Sequence, residues 1–143
     1  MSFTKEFEIE GDDFANAGRV STEIKAMLKS IGYPADAIRR TAIAAYEAEM
    51  NVVMYADTAH VNLTLEPGTI HVVVADEGPG IPDIDRAMQE GFSTATDEMR
   101  ERGFGAGMGL PNIRRNADEF AIESEVGQGT RLDITVRAEE GRV

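Results

Sequence analysis

Asp76-Glu77-Gly78-Pro79-Gly80-Ile81 is the stretch on which the reading of this chain turns. It follows the run Ile70 to Ala75, whose Val72-Val73-Val74 is apolar without alternation, as expected of a central, well-covered strand. An acidic residue therefore ends a buried strand and enters Gly-Pro-Gly. Gly78 and Gly80 allow backbone conformations and close approach that a side chain would forbid. Just upstream, Val61, Leu63 and Leu65 alternate with Asn62, Thr64 and Glu66. The turn Glu66-Pro67-Gly68-Thr69 joins the two runs as a hairpin.

Working outward, Phe3, Lys5, Phe7 and Ile9 alternate with polar residues and read as an opening strand. Gly11-Asp12-Asp13 follows, and either aspartate can cap a helix. Phe14, Ala17, Val20, Ile24, Leu28 and Ile31 recur at helical spacing, and Gly32-Tyr33-Pro34 stops that helix and starts another. The second helix runs from about Pro34 to about Tyr55. From Pro82 to about Phe104 the pattern weakens, with a short helix at Ile84 to Gln89. A long polar stretch of this kind inside a compact domain reads as a functional loop. A helix from about Leu110 to Ala117 precedes a last hairpin, Phe120 to Val126 and Arg131 to Val136. The element order predicts an α+β fold, a two-layer sandwich with a mixed, mostly antiparallel sheet and helices on one face. It predicts one domain over residues 1–143, with its core at 3–137 and a charged tail at 138–143.

The 143 residues suffice for a single domain with its own core, and 42% hydrophobic content is ordinary for a soluble protein. The net charge of -12 disfavours nucleic acid and anionic membrane as partners, though not a small anion in a locally positive pocket. With no cysteine, disulfides, thiolate zinc sites and cysteine nucleophiles are excluded. No apolar run approaches the roughly 20 residues of a membrane span, and Met1-Ser2-Phe3-Thr4-Lys5-Glu6 has no signal-peptide pattern. The expected location is the cytoplasm.

Glu47 and Asn51 fall on one helical face with Ile43, Met50 and Met54. Burying a carboxylate and an amide in an apolar stripe costs several kcal/mol unless both are satisfied. An asparagine bonded to backbone with a glutamate reaching the rim does that. A ligated metal ion and a polarised nucleophile do it equally well. Glu49 lies on the opposite face and reads as solvated. Asp76 at its strand end can accept from an exocyclic amine such as that of adenine, although Asp-Glu-Gly-Pro-Gly is also good turn chemistry by itself. Gly103, Gly105, Gly107 and Gly109 open the helix near Leu110, and glycine amides at a helix N-terminus form an anion site or simply a hinge. Met108 and Leu110 stand where the dinucleotide fingerprint has its third glycine, and no Lys-Ser/Thr follows as in a Walker A loop. Gly129-Thr130 fits a hairpin bulge, Arg100 and Arg102 fit surface charges or a loop that meets phosphate, and His60 and His71 fit structural strand positions.

Taken jointly and in order, Glu47-x-x-x-Asn51, Asp76-x-Gly78-x-Gly80, Gly105-x-Gly107-x-Gly109 and Gly129-Thr130 resemble the N, G1, G2 and G3 boxes of the GHKL ATPase superfamily. The similarity spans about residues 5–137. Within that superfamily the chain resembles the anti-sigma-factor-type serine/threonine kinases, and among them the RsbT-like switch kinases. Glu47 to Ala56, Gly78 to Ile84, Gly91-Phe92-Ser93-Thr94, Gly105-Ala106-Gly107 and Asp118-Glu119-Phe120 carry that likeness. SpoIIAB-like anti-sigma factors usually have a histidine four residues after the N-box asparagine, where this chain has Tyr55. The lid stretch Asp97-Glu98-Met99-Arg100-Glu101-Arg102 is longer than expected of an RsbT-like chain.

The resemblance implies the Bergerat ATP-binding fold, with ATP or ADP and Mg²⁺ as cofactors. It implies Asn51 as the Mg²⁺ residue and Glu47 as the base or orienting group for the attacking hydroxyl. Asp76 would take the adenine amine, with Thr130 assisting through water, and Gly78 and Gly80 would shape the adenine pocket beside Ile81. Gly105, Gly107 and Gly109, with Met108 and Leu110, would wrap the phosphates beneath a lid at 82–104. The implied function is a protein serine/threonine kinase that phosphorylates a STAS-domain partner in a bacterial partner-switching pathway. Room remains for a second regulatory partner or sigma factor and for a homodimer. The alternative is a nucleotide-gated switch protein with little or no kinase turnover. A histidine-kinase catalytic domain is disfavoured because no helical hairpin carries a phosphorylatable histidine. Gyrase, Hsp90 and MutL types need a transducer domain for which no residues remain.

Overall fold

A computed structural model of the chain describes residues 2–89 and 109–138. Five strands form one sheet in the order β1-β2-β3-β5-β4. They are β1 (Phe3–Glu10), β2 (Thr58–Glu66), β3 (Thr69–Glu77), β4 (Glu119–Glu125) and β5 (Gly129–Arg137). Every pairing among them is antiparallel, so the mixed sheet expected from the sequence is antiparallel throughout the described residues. The helices are α1 (Arg19–Ile31), α2 (Ala35–Tyr55), the short α3 (Ile84–Ala87) and α4 (Gly109–Asn116).

Alternation in the strands decides which face is covered. Phe7 and Ile9, Val61, Leu63 and Leu65, Ile70, Val72 and Val74, and Leu132, Ile134 and Val136 all point one way and are buried. They meet Val20, Ile24 and Leu28 of α1, Ala44, Ala48 and Val52 of α2 and Ile113 of α4 in one core. Val73 is only half-buried, on the other face. β3 is central in the sheet but covered on one side only, so an all-valine run here does not mean two covered faces. On that open face His71 Nε2 lies 2.7 Å from Asp133 Oδ1, a structural pair between neighbouring strands.

The first helix departs from its sequence reading at its start. A 3-10 turn, Phe14–Asn16, comes first, and α1 starts only at Arg19. Neither Asp12 nor Asp13 caps α1; the Asp13 carboxylate accepts from Asn16 Nδ2 instead. The cap comes from α2. The Val20 and Ser21 amides donate to Glu49 Oε2 at 3.1 Å and Oε1 at 2.9 Å. Glu49 is 2% exposed, so the solvated glutamate expected from the helical wheel is a buried one. It neutralises orphan N–H groups in the first turn of α1 and meets the positive end of that helix dipole. At the other end Ile31 is 57% exposed and the helix closes on Gly32, whose N–H donates to the Leu28 carbonyl.

Arg40 ties the opposite corner together. Its side chain, 15% exposed, bonds Asp36 and Asp118 at 2.9 Å each. It also donates to the Asn116 and Arg137 carbonyls, joining α2 to the ends of α4 and β5. Burial works against its charge, but the two aspartates outweigh that and keep it protonated. The corner holds α4 against α2, and that contact brings the site residues together.

Candidate functional site

The site lies where the ends of β3 and β5 meet α2 and the start of α4. Asp76 follows Val72 and Val74 in the strand alternation, so its side chain leaves the sheet on the helix side. The Thr130 N–H, from the start of β5, donates to Asp76 Oδ1 at 3.0 Å. Burial pushes the Asp76 carboxyl above the ordinary aspartate range, and that N–H bond only partly opposes it.

The neighbouring glycines are where a side chain cannot go. A Cβ on Gly129 would collide with the Asp76 carbonyl, and one on Gly80, at φ +77°, would strike the Glu125 carbonyl. At Gly78 it would stand 3.1 Å from the Ala56 Cα. The loop after β3 is thus pressed between the end of α2 and the β4–β5 hairpin. Two further bonds hold it: Gly127 N–H to the Pro79 carbonyl at 2.9 Å, and Ile81 N–H to Ser124 Oγ at 2.7 Å.

On the helical side, a Cβ on Gly109 would lie 3.2 Å from Asn51 Oδ1, so the first residue of α4 sits directly against the Asn51 amide. One turn earlier on α2, Glu47 Oε2 accepts from Asn112 Nδ2 at 2.7 Å. Pro111 lies in the first turn of α4, where its missing N–H leaves no helical bond unmade. Glu47 also borders an open groove of about 340 Å³ between α1 and α2, with Thr22, Lys25, Ile43 and Tyr46 on its walls.

The structure thus groups Asp76, Gly78, Gly80, Ile81 and Thr130 in one cluster. It places Glu47, Asn51 and Gly109 in another, with Leu110 buried in the core behind them. Gly103, Gly105, Gly107 and Met108, and the lid with Arg100 and Arg102, lie outside the described residues. Among the described residues no group of three or more His, Asp and Glu side chains is assembled to hold a metal.

Residues 12–136, which include both clusters, match the histidine kinase-like ATPase domain family. The chain belongs to that family. As a member it carries a nucleotide-binding domain of the GHKL type. It is 32% identical over 108 residues to the serine/threonine-protein kinase RsbT of Bacillus subtilis, covering 73% of this chain and 75% of that one. It is 33% identical over 111 residues to the anti-sigma F factor of Geobacillus stearothermophilus, covering 78% of this chain and 65% of that one. The fold is similar to that of a solved structure of the RsbU and RsbW domains of a Mycobacterium tuberculosis protein. The TM-score is 0.59 at 19% identity, over 93% of this chain and 32% of that one. The catalytic domain of the histidine kinase ThkA gives 0.56 at 14% identity, over 96% of this chain and 97% of its own. The relatives it resembles are thus named as a serine/threonine-protein kinase and as an anti-sigma factor. Among the described residues no helix is long and apolar enough to cross a membrane.

Asn112, Glu49 and Arg40 were not singled out from sequence as partners in any site or cap. Asn112 had a usable signal: a polar side chain between buried Pro111 and Ile113 on a short helix. Glu49 was visible as a carboxylate among Ala45, Ala48 and Val52, but its partners lie 28 and 29 positions away.

Proposed function

We propose that the chain is an ATP-dependent protein serine/threonine kinase whose substrate is a STAS-domain partner in a bacterial partner-switching pathway. The observation that carries this reading is the Glu47 carboxylate, held by Asn112 one helical turn from Asn51 and open to the α1–α2 groove. A pure nucleotide switch has no need of a carboxylate fixed there.

In this account Asp76 accepts from the exocyclic amine of adenine, Thr130 assists through water, and Gly78, Gly80 and Ile81 form the wall of the base pocket. Gly105, Gly107, Met108 and Gly109 surround the phosphates, with Leu110 anchoring the start of α4 in the core behind them. Asn51 is the residue that would hold Mg²⁺, through the Oδ1 that stands against Gly109. There the ion would supply positive charge against the phosphate oxygens.

The partner's serine or threonine hydroxyl approaches along the groove beside Glu47. Its oxygen forms a bond to the γ-phosphorus as the bond to the bridging oxygen breaks, and ADP leaves. Glu47 takes the hydroxyl proton. Such transfer needs mainly positioning and charge neutralisation, which the helix-bound carboxylate and the glycine amides supply.

A second reading has its own support in the relatives named anti-sigma F factor. There the nucleotide state would gate a grip on a partner, with little turnover. The two separate on incubation with Mg²⁺, γ-labelled ATP and STAS-domain proteins. Label on a STAS serine or threonine supports the kinase. Tight ATP binding without label on any of them supports the gated switch, and partner capture at fixed nucleotide state would follow.

A further inference from the structure

Ser124, on β4, enters the account above only as a tether for the loop after β3, yet its hydroxyl meets three groups at once. It accepts from the Ile81 N–H at 2.7 Å, and it lies 3.2 Å from the Gly129 carbonyl oxygen and 2.8 Å from Thr130 Oγ1. A serine hydroxyl has one proton and two lone pairs. The Ile81 N–H occupies one lone pair. The Gly129 carbonyl can only accept, so it takes the proton. One lone pair remains, and Thr130 must therefore be the donor in the third contact. No other assignment makes all three contacts hydrogen bonds.

This commits the Thr130 proton to Ser124 and leaves Thr130 Oγ1 only lone pairs to offer a ligand. Beside it the ionised Asp76 is acceptor-only, with Oδ1 bonded to the Thr130 N–H at 3.0 Å. The wall made by the end of β3 and the start of β5 thus presents acceptors alone.

We propose that Ser124 is a positioning residue that fixes the Thr130 hydroxyl as an acceptor, and so makes this wall select a purine with a 6-amino group over one with a 6-oxo group. The proposal rests on the nucleotide reading of the site and adds a determinant of base choice to it. An amino group donates to such a wall, whereas an oxo group sets lone pairs against lone pairs and leaves polar atoms unpaired. Without Ser124 the Thr130 hydroxyl is free to turn and donate, and the wall then tolerates the oxo group.

The test is calorimetric titration of the full chain with ATP and with GTP. The proteins are wild type, Ser124→Ala, Ser124→Thr, Thr130→Val and the double variant Ser124→Ala/Thr130→Val. Wild type should prefer ATP. Ser124→Ala should narrow the ATP-to-GTP affinity ratio about tenfold. Ser124→Thr, which restores the hydroxyl, should recover it, and Ser124→Ala should narrow nothing further once Thr130 is valine. If the alanine variant does not fold, Ser124→Cys keeps the volume with weak hydrogen bonding and must show the narrowing. An alanine variant that binds ATP with the wild-type ratio, or that loses both nucleotides equally, overturns the role of Ser124 and leaves the nucleotide reading standing. So does a wild type that binds ATP and GTP alike. A wild type that binds neither overturns both.

Discussion

Asn112 of α4 donates to Glu47 of α2 at 2.7 Å, although 65 positions separate them in the chain. The bond fixes one carboxylate oxygen of a side chain that also lines the groove. It also makes the position of Glu47 depend on α4, which starts at the glycine beside Asn51. Asn112→Ala should therefore lower kcat by about ten- to a hundredfold while the KM for ATP changes little. Steady-state transfer assays decide it. A rise in KM with kcat intact would place Asn112 in nucleotide binding instead.

Glu49 should matter for stability and not for turnover. Glu49→Ala leaves the Val20 and Ser21 amides without acceptors in a buried position and should cost about 2–4 kcal/mol. Glu49→Gln, which keeps one good acceptor oxygen, should cost less. Urea unfolding at constant m-value measures both. An alanine variant within 0.5 kcal/mol or so of wild type would show that the cap contributes nothing.

Asp76 links function to a stability cost. Burial raises its pKa in the folded protein above the ordinary aspartate value. Between those two values the folded state holds a proton that the unfolded chain has released. Stability therefore falls as pH rises through that window and stays lower above it. Asp76→Asn has no charge to desolvate, so at neutral pH it should melt higher than wild type, and below the window the gap should close. The same variant should lose ATP binding. Thermal melts at several pH values, paired with ATP titration, test both halves. Normal ATP affinity in the folded variant would remove Asp76 from the base pocket.

Thr41 on α2 is fully buried, and its Oγ1 has no hydrogen-bond partner among the described residues. Thr41→Val keeps the shape and removes the unsatisfied hydroxyl. It should raise stability by about 1 kcal/mol, read as a higher urea midpoint. A lower midpoint would mean that the hydroxyl is satisfied in solution.

The residues that follow a local rule were legible in the sequence. The period-two pattern of Val61, Leu63 and Leu65, the Pro67-Gly68 turn and the α2 stripe gave the hairpin and the helix within a residue or two. Three of the motif blocks, with Gly109 of the fourth, fall in the clusters around Asp76 and Glu47. What escaped depends on contacts between distant segments. The start of α1 is set by Glu49 from another helix, so the propensities around Asp12 and Asp13 pointed to the wrong cap. Val73 looked buried because apolar residues are allowed on a half-open sheet face. Asn112 and Ser124 act through hydrogen bonds that no spacing rule encodes.

The most direct test of the central claim is single-turnover transfer from γ-labelled ATP, with Mg²⁺ and a STAS-domain protein, by wild type and Glu47→Ala. Both proteins are saturated with ATP. The account predicts label on a partner serine or threonine with wild type, and at least about a hundredfold slower transfer by the variant at unchanged ATP affinity. Equal rates in the two proteins, or ATP-loaded wild type that labels no partner, would contradict it.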